Sequence, residues 1–267
     1  MKTLRRTLVI LLIVFAVLIL GFIGVMLTDA LALDEAATVT NVSYPAADGS
    51  SLIGYLAQPA AATTELRPAV LMVHEWWGLN HEITEMANLL AEEGYIVLAP
   101  DTYRGRLATT VPGALFLRIG APVERVNSDM QAAYDYLVAQ PGVDPARVAV
   151  MGFCYGGGVA LRHATLNAQI AATLNLYGDT IDTVDGFGEL LTSGKPVLGI
   201  FGEVDQQIPV SEVETFRQTL AETTIPHQVT IYPGVGHAFV NPQSIIQPGA
   251  AQDAWHDIRV FLAAALA

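Results

Sequence analysis

The hydrophobic pattern divides this chain into two unlike parts. From Thr7 to Thr28 no position is charged, and nearly all are Leu, Ile, Val, Phe, Ala, Met or Gly. A helix over these 22 residues would be about 33 Å long, enough to cross a bilayer. The run has no polar face, which separates it from the half-buried helix of a soluble domain. Beyond it the pattern breaks into short segments. Thr38–Tyr44 and Leu52–Gln58 alternate apolar and polar residues around Ala46-Ala47-Asp48-Gly49, which predicts a hairpin. Short apolar runs follow at Ala69–Val73, Tyr95–Ala99, Val148–Gly152, Ala171–Leu176, Val197–Phe201 and Val229–Tyr232. They suit strands buried on both faces of a parallel sheet. Helical periodicity fills Glu82–Glu93, Val123–Ala139, Gly157–Asn167, Val210–Thr223 and Ala250–Leu266, with stop signals at Glu93-Gly94 and Gln140-Pro141-Gly142. The alternation predicts an α/β fold: a doubly wound, mostly parallel sheet with an N-terminal antiparallel hairpin, preceded by one apolar helix. Arg104–Pro122 is the least regular stretch and is expected to form a short lid or loop over the sheet.

Charge gives the apolar helix a direction. Lys2, Arg5 and Arg6 precede it, and Asp29, Asp34 and Glu35 follow it. The positive-inside rule then leaves the N-terminus in the cytoplasm and exports the remainder. Two outcomes share that orientation. Residues 1–33 act as an uncleaved signal anchor, or Ala30-Leu31-Ala32 is a signal-peptidase site and cleavage after Ala32 releases a secreted protein. Residues 34–267 form the second domain in either case. The chain has 13 basic and 26 acidic residues, a net charge of −13. That balance excludes a basic nucleic-acid surface. The exported part, with 10 basic and 25 acidic residues, would be repelled by an anionic membrane, leaving the helix as its membrane link. A monomer is expected. Asn41-Val42-Ser43 matches a glycosylation sequon.

The single cysteine excludes a disulfide framework and a multi-cysteine metal site. It falls at a place of its own: strand Val148–Met151, then Gly152-Phe153-Cys154-Tyr155-Gly156-Gly157, then a helix. This is the G-x-nucleophile-x-G elbow with Cys in place of Ser. The turn leaves no room for side chains at the flanking glycines and holds the thiol at a helix N-terminus, whose dipole favours a thiolate. An elbow calls for an acid and then a histidine further along. Asp205 follows the Val197–Phe201 strand and His237 follows the Val229–Tyr232 strand, in that order, although Glu203 stands two residues before Asp205. In such sheets functional groups gather at the C-terminal ends of strands. The loop after Ala69–Val73 would supply one backbone N–H to an oxyanion hole, from Trp76, and the residue after the nucleophile, Tyr155, would supply the other. Glu75 would point near Cys154. His74-Glu75 begins a zinc-protease pattern, but Gly78 stands where its second histidine is required, so neither a metal nor a cofactor is expected. His74 is expected to pack or hydrogen-bond beside the site, and His163 to be structural.

His-Glu-Trp-Trp-Gly-Leu-Asn at 74–80, Ala99-Pro100-Asp101-Thr102-Tyr103, the cysteine elbow and Gly236-His237-Ala238-Phe239 resemble the dienelactone hydrolase family, from about residue 38 to the C-terminus. The resemblance implies the α/β-hydrolase fold and a Cys154–His237–Asp205 triad. It implies that Glu75 meets the resting thiol and helps generate the thiolate when substrate binds. The family's reaction is cofactor-free hydrolysis of an enol-lactone, dienelactone. Dienelactone-specific members grip the substrate carboxylate with two arginines. Here Gly105 and Asn241 stand at those registers, with Arg104 and Arg106 as the neighbours able to substitute. An asparagine does not reproduce a bidentate Arg–carboxylate contact. The chemistry carries over and the substrate does not. Trp76, Trp77, Tyr103, Tyr155 and Phe239 are expected to line an aromatic pocket. The expectation is therefore an exported or anchored hydrolase of small ester or lactone substrates. Against it stand a non-catalytic anchored ligand-binding protein, a thiol redox sensor, and a peptidase or acyltransferase on the same residues.

Overall fold

The computed structural model describes residues 2–31, 38–61 and 64–267. Ala32, the expected cleavage position, and the boundary between residues 33 and 34 lie outside the described residues. The first helix, α1, covers Lys2–Leu31, and its segment Arg5–Gly24 has a mean hydropathy of 3.1 with none of it buried.

Eight strands form one sheet: β1 (Val42–Pro45), β2 (Ser51–Ala57), β3 (Arg67–Val73), β4 (Ile96–Pro100), β5 (Val143–Phe153), β6 (Ala172–Leu176), β7 (Val197–Gly202) and β8 (His227–Tyr232). Their order is β1-β2-β4-β3-β5-β6-β7-β8. β1 and β2 pair antiparallel, as do β2 and β4, and all other neighbours are parallel. The predicted hairpin is present but shorter than expected. Thr38 and Val39 are helical and strand pairing starts at Val42. Between them the Asn41 side chain acts as a surrogate backbone, accepting from Leu56 N–H at 2.7 Å and donating to Leu56 C=O at 3.0 Å. A glycan on the sequon would be attached at the Nδ2 that makes the second of these bonds.

The helices are α2 (His81–Glu92), α3 (Val111–Ile119), α4 (Val123–Val138), α5 (Tyr155–Leu166), α6 (Glu189–Ser193), α7 (Val210–Ala221) and α8 (Ala250–Ala265). β3→α2→β4 steps toward the β1 edge, whereas β4→α4→β5 and β5→α5→β6 step toward the β8 edge. Right-handed crossovers in opposite directions put α2 and α4 on opposite faces of the sheet. Covered on both sides, β3 from Ala69 to Val73 and β5 from Val148 to Met151 are fully buried, which is why these stretches read as unbroken apolar runs. The reversal of direction also opens a crevice above the C-terminal ends of β3 and β5, where open α/β sheets bind ligands. The stretch expected to be an irregular lid contains α3. Thr110 caps that helix by accepting from Gly113 N–H at 3.2 Å, and Pro112 sits in its first turn.

Candidate active site

β5 ends at Phe153, α5 begins at Tyr155, and Cys154 between them adopts φ 54°, ψ −121°. A positive φ in a residue with a Cβ stores on the order of 1–3 kcal/mol. Close packing of the backbone holds it in place. A Cβ on Gly152 would lie 2.0 Å from the Gly156 carbonyl oxygen, and one on Gly156 would lie 2.4 Å from that of Val73. Cys154 N–H donates to Leu176 C=O at 2.9 Å, tying the turn to β6. The other non-glycine residues with positive φ among those described are Arg104, Tyr177 and Ala238. All four follow the C-terminal end of a strand, so backbone strain gathers around one crevice.

The electrostatics of the thiol run against the helix-dipole expectation. Burial, and after it the negative charge of Glu75, pushes Cys154 up to about 12. The N–H groups of Tyr155 and Trp76, directed at the sulfur, and the charge of Arg118 pull the other way and are outweighed. The helix N-terminus does not suffice for a thiolate, and the resting group is a thiol. Burial, helped by Glu82, raises the Glu75 carboxyl to about 7. Glu75 lines a cavity of about 70 Å³ with Glu82, Met86, Phe153, Ala238 and Asn241.

Asp205 lies three residues beyond β7 and His237 five beyond β8. His237 Nδ1 meets Asp205 Oδ2 at 2.7 Å, while Asp205 Oδ1 accepts from Gln207 and Ile208 N–H at 2.8 and 3.1 Å. An ionised carboxylate only accepts, so Nδ1 carries the imidazole proton. Nε2 is buried and has no hydrogen-bond partner. Glu203 is turned elsewhere and accepts from Gly234 N–H at 2.9 Å. His74 is fully buried and tautomerically fixed. Its Nε2 accepts from Thr102 N–H at 3.2 Å, so Nδ1–H donates to Glu75 C=O. Burial lowers it to about 4, keeping it neutral. His74 thereby fastens the Glu75–Trp76 loop to the segment after β4.

The candidate substrate residues divide. Trp76 and Trp77 make an edge contact at 5.1 Å, and Tyr103 lies 5.4 Å from the Tyr155 ring with its buried hydroxyl unpartnered. Phe239 packs between Tyr177 and Tyr232, at 5.7 and 5.6 Å, as a support for the histidine loop. The expectation that Arg104 grips a substrate is not met. Its guanidinium is held by Asp129 at 2.6 and 2.8 Å and by Asp48 at 3.0 Å, beneath the hairpin. Arg106 is exposed and stacks over Phe116 at 5.3 Å. Asn241 closes a local turn, accepting from Ser244 N–H at 3.0 Å.

Two residues escaped the sequence reading. Tyr177 is fully buried, stands edge-on to His237 at 5.2 Å and donates to Val240 C=O at 3.1 Å, bracing the loop from both sides. Its signal was Tyr177-Gly178-Asp179 directly after a strand. Arg118, on α3, stacks over Tyr155 at 5.7 Å and pairs with Asp179 at 3.1 Å. Nothing in the irregular segment marked it.

The dienelactone hydrolase family profile matches residues 52–266. The Salmonella typhimurium protein called "Putative carboxymethylenebutenolidase" is 31% identical over 239 residues, covering 83% of this chain and 86% of its own. A dienelactone hydrolase-like promiscuous phosphotriesterase, P91, from metagenomic libraries superposes with a TM-score of 0.73 at 23% identity, over 86% of this chain and 100% of its own. A thermophilic esterase from Thermogutta terrifontis does so with a TM-score of 0.65 at 18% identity, over 84% of this chain and 93% of its own. At those identities the two structures speak for the fold alone.

Proposed function

The chain belongs to the dienelactone hydrolase family and is an ester or lactone hydrolase; on that premise we propose that Cys154, His237 and Asp205 carry the reaction by acyl transfer. One observation supports this above the others. The strained cysteine has two N–H groups directed at its sulfur, and the histidine at another strand end of the same sheet is oriented by Asp205 with its Nε2 unoccupied.

In this reading the substrate carbonyl oxygen takes over the Trp76 and Tyr155 N–H groups from the sulfur. Those two donors then stabilise the oxyanion, each by about 3 kcal/mol. The thiol proton leaves by way of the Glu75 carboxylate and ends on His237 Nε2. The sulfur attacks the carbonyl carbon, and the C–O bond to the leaving group breaks. His237 delivers its proton to the departing oxygen. Water then attacks the thioester, giving its proton to His237, which returns it to sulfur as the C–S bond breaks. Raising the resting thiol keeps it unreactive until a substrate occupies the crevice. The same feature weighs against a redox sensor, which needs an accessible low-pKa thiol.

The substrate is an ester or lactone without the two-arginine grip of dienelactone-specific relatives. Arg118 is the cation whose charge bears on the thiol, and it is the candidate for selecting substrates that carry a carboxylate. For α1 we favour the uncleaved anchor with residues 34–267 outside the cytoplasm, on the strength of Lys2, Arg5 and Arg6 at one end and an uncharged run longer than a signal core.

The test is hydrolysis by the full chain of short p-nitrophenyl esters and of dienelactone, beside Cys154→Ala. We expect wild type to turn over the p-nitrophenyl esters and to discriminate against dienelactone. Cys154→Ala should fall by at least about 10⁴-fold with an unchanged circular dichroism spectrum. A variant retaining wild-type rates would remove Cys154 from the mechanism.

A further inference from the structure

Ten large apolar side chains outside α1 are exposed among the described residues, and five of them lie within residues 111–123: Val111, Leu115, Phe116, Ile119 and Val123. Val111, Leu115 and Ile119 recur every fourth residue along α3, one outward stripe, while Ala114 and Leu117 face inward and are buried. Ile119 is 74% exposed. The segment carrying this face has no acidic residue of its own in a strongly acidic chain, although Arg118 pairs with Asp179 at 3.1 Å. No Asp or Glu occurs between Asp101 and Glu124, whereas Arg106 and Arg118 flank the stripe. An apolar ridge bordered by arginines is the composition of an element lying in a lipid interface. The chain supplies that interface. α1 passes beside α3, and only ten residues separate Leu31 from Val42, a tether of at most about 36 Å. The inner side of the same helix overlies the crevice through the Arg118–Tyr155 contact.

We infer that α3 is a membrane-docking lid: its Val111–Leu115–Ile119 face seats in the interface of the bilayer that α1 spans, so that the mouth above Cys154 receives esters dissolved in lipid. This rests on reading α1 as an uncleaved anchor and on the hydrolase assignment, and it adds a substrate class, membrane-partitioned esters.

The full chain has one cysteine, so a Cys154→Ser background accepts a single environment-sensitive label. The label goes on Ile119→Cys and, for comparison, on Gln228→Cys, an exposed position at the start of β8 on the far edge of the sheet. Both proteins are reconstituted through α1 into phosphatidylcholine vesicles containing lipids with a nitroxide near the headgroup. The label at 119 should emit to the blue and be quenched at least about threefold more than the label at 228, as expected for burial at the headgroup boundary. Equal quenching would overturn the proposal. So would protection at 119 that grows with protein density and not with nitroxide content, since a second copy would then cover the face. In the wild-type background, Leu115→Glu and Ile119→Glu should lower turnover of a long-chain ester dissolved in the vesicles about tenfold while leaving a water-soluble ester within about twofold. Equal loss on both substrates would count against lipid-side delivery. A wild type inactive on every ester would sink the hydrolase assignment, and the label would still decide whether the face docks.

Discussion

The cysteine elbow and the α3 lid meet at Tyr155, yet they are built on opposite terms. In the elbow, backbone touches backbone. Gly152, Gly156 and the end of β3 approach so closely that no side chain fits between them, and Cys154 is held strained as a result. In the lid Gly113, Ala114 and Leu117 are the buried residues of α3, Arg118 reaches Tyr155 and Asp179, and Val111, Leu115, Phe116 and Ile119 are exposed. The elbow is determined by what lies beneath it. The lid's outer face acquires meaning only from whatever it contacts. A rigid nucleophile paired with a surface-facing cover is the arrangement an enzyme needs if access, and not geometry, is to be adjustable.

The sharpest way to break this contrast is Gly152→Ala. Its Cβ would collide with a backbone oxygen that has no flexible end to move. We expect a loss of more than about 3 kcal/mol in denaturant unfolding and no measurable turnover. Asp205→Asn tests the oriented histidine. It should keep the fold while lowering kcat about 10³–10⁴-fold, by releasing the Nδ1 tautomer. Glu75→Gln separates stability from function. Glu75 sits at about 7 in the fold against an ordinary 4.5. Its ionisation therefore destabilises the native state, not at all below about 4.5, increasingly up to about 7, and fully above. The variant should be more stable than wild type by about 1–3 kcal/mol at pH 8.5, with the difference vanishing toward pH 4.5. Its turnover should be lower and should lose the wild-type fall in activity below pH 7. Arg118→Ala removes the half-exposed contacts the lid makes with Tyr155 and Asp179. It should lower kcat/KM for carboxylate-bearing esters about tenfold, leave neutral esters near wild type, and not shift the unfolding midpoint.

The same contrast explains which residues were readable in advance. The G-x-C-x-G spacing, and the aspartate and histidine on successive strand ends, survive in sequence because close approach and strand order dictate residue type directly. The sheet was legible for a related reason: burial on both faces demands apolar runs. Arg104 read plausibly as a substrate contact because it neighbours the expected register at Gly105, but its direction depends on φ 55° and on Asp129, which lies 25 residues away on α4. Tyr177 stood just past the end of an apolar run, where nothing local ties it to a histidine 60 residues further on. The helix N-terminus that favours a thiolate and the glutamate that meets the resting thiol were both visible in sequence, whereas the burial that decides between them is not.

By itself, then, the sequence determined the apolar N-terminal helix, the α/β alternation, the elbow and the identity of its cysteine, because each follows from periodicity or from sterics within a few residues. Tertiary structure alone decided that Asp205 and not Glu203 meets His237, that burial outweighs the helix dipole at Cys154, that Arg104 is locked under the hairpin, and that Arg118 reaches the crevice. Those outcomes depend on distances and desolvation between segments far apart in the chain, and no local pattern encodes either.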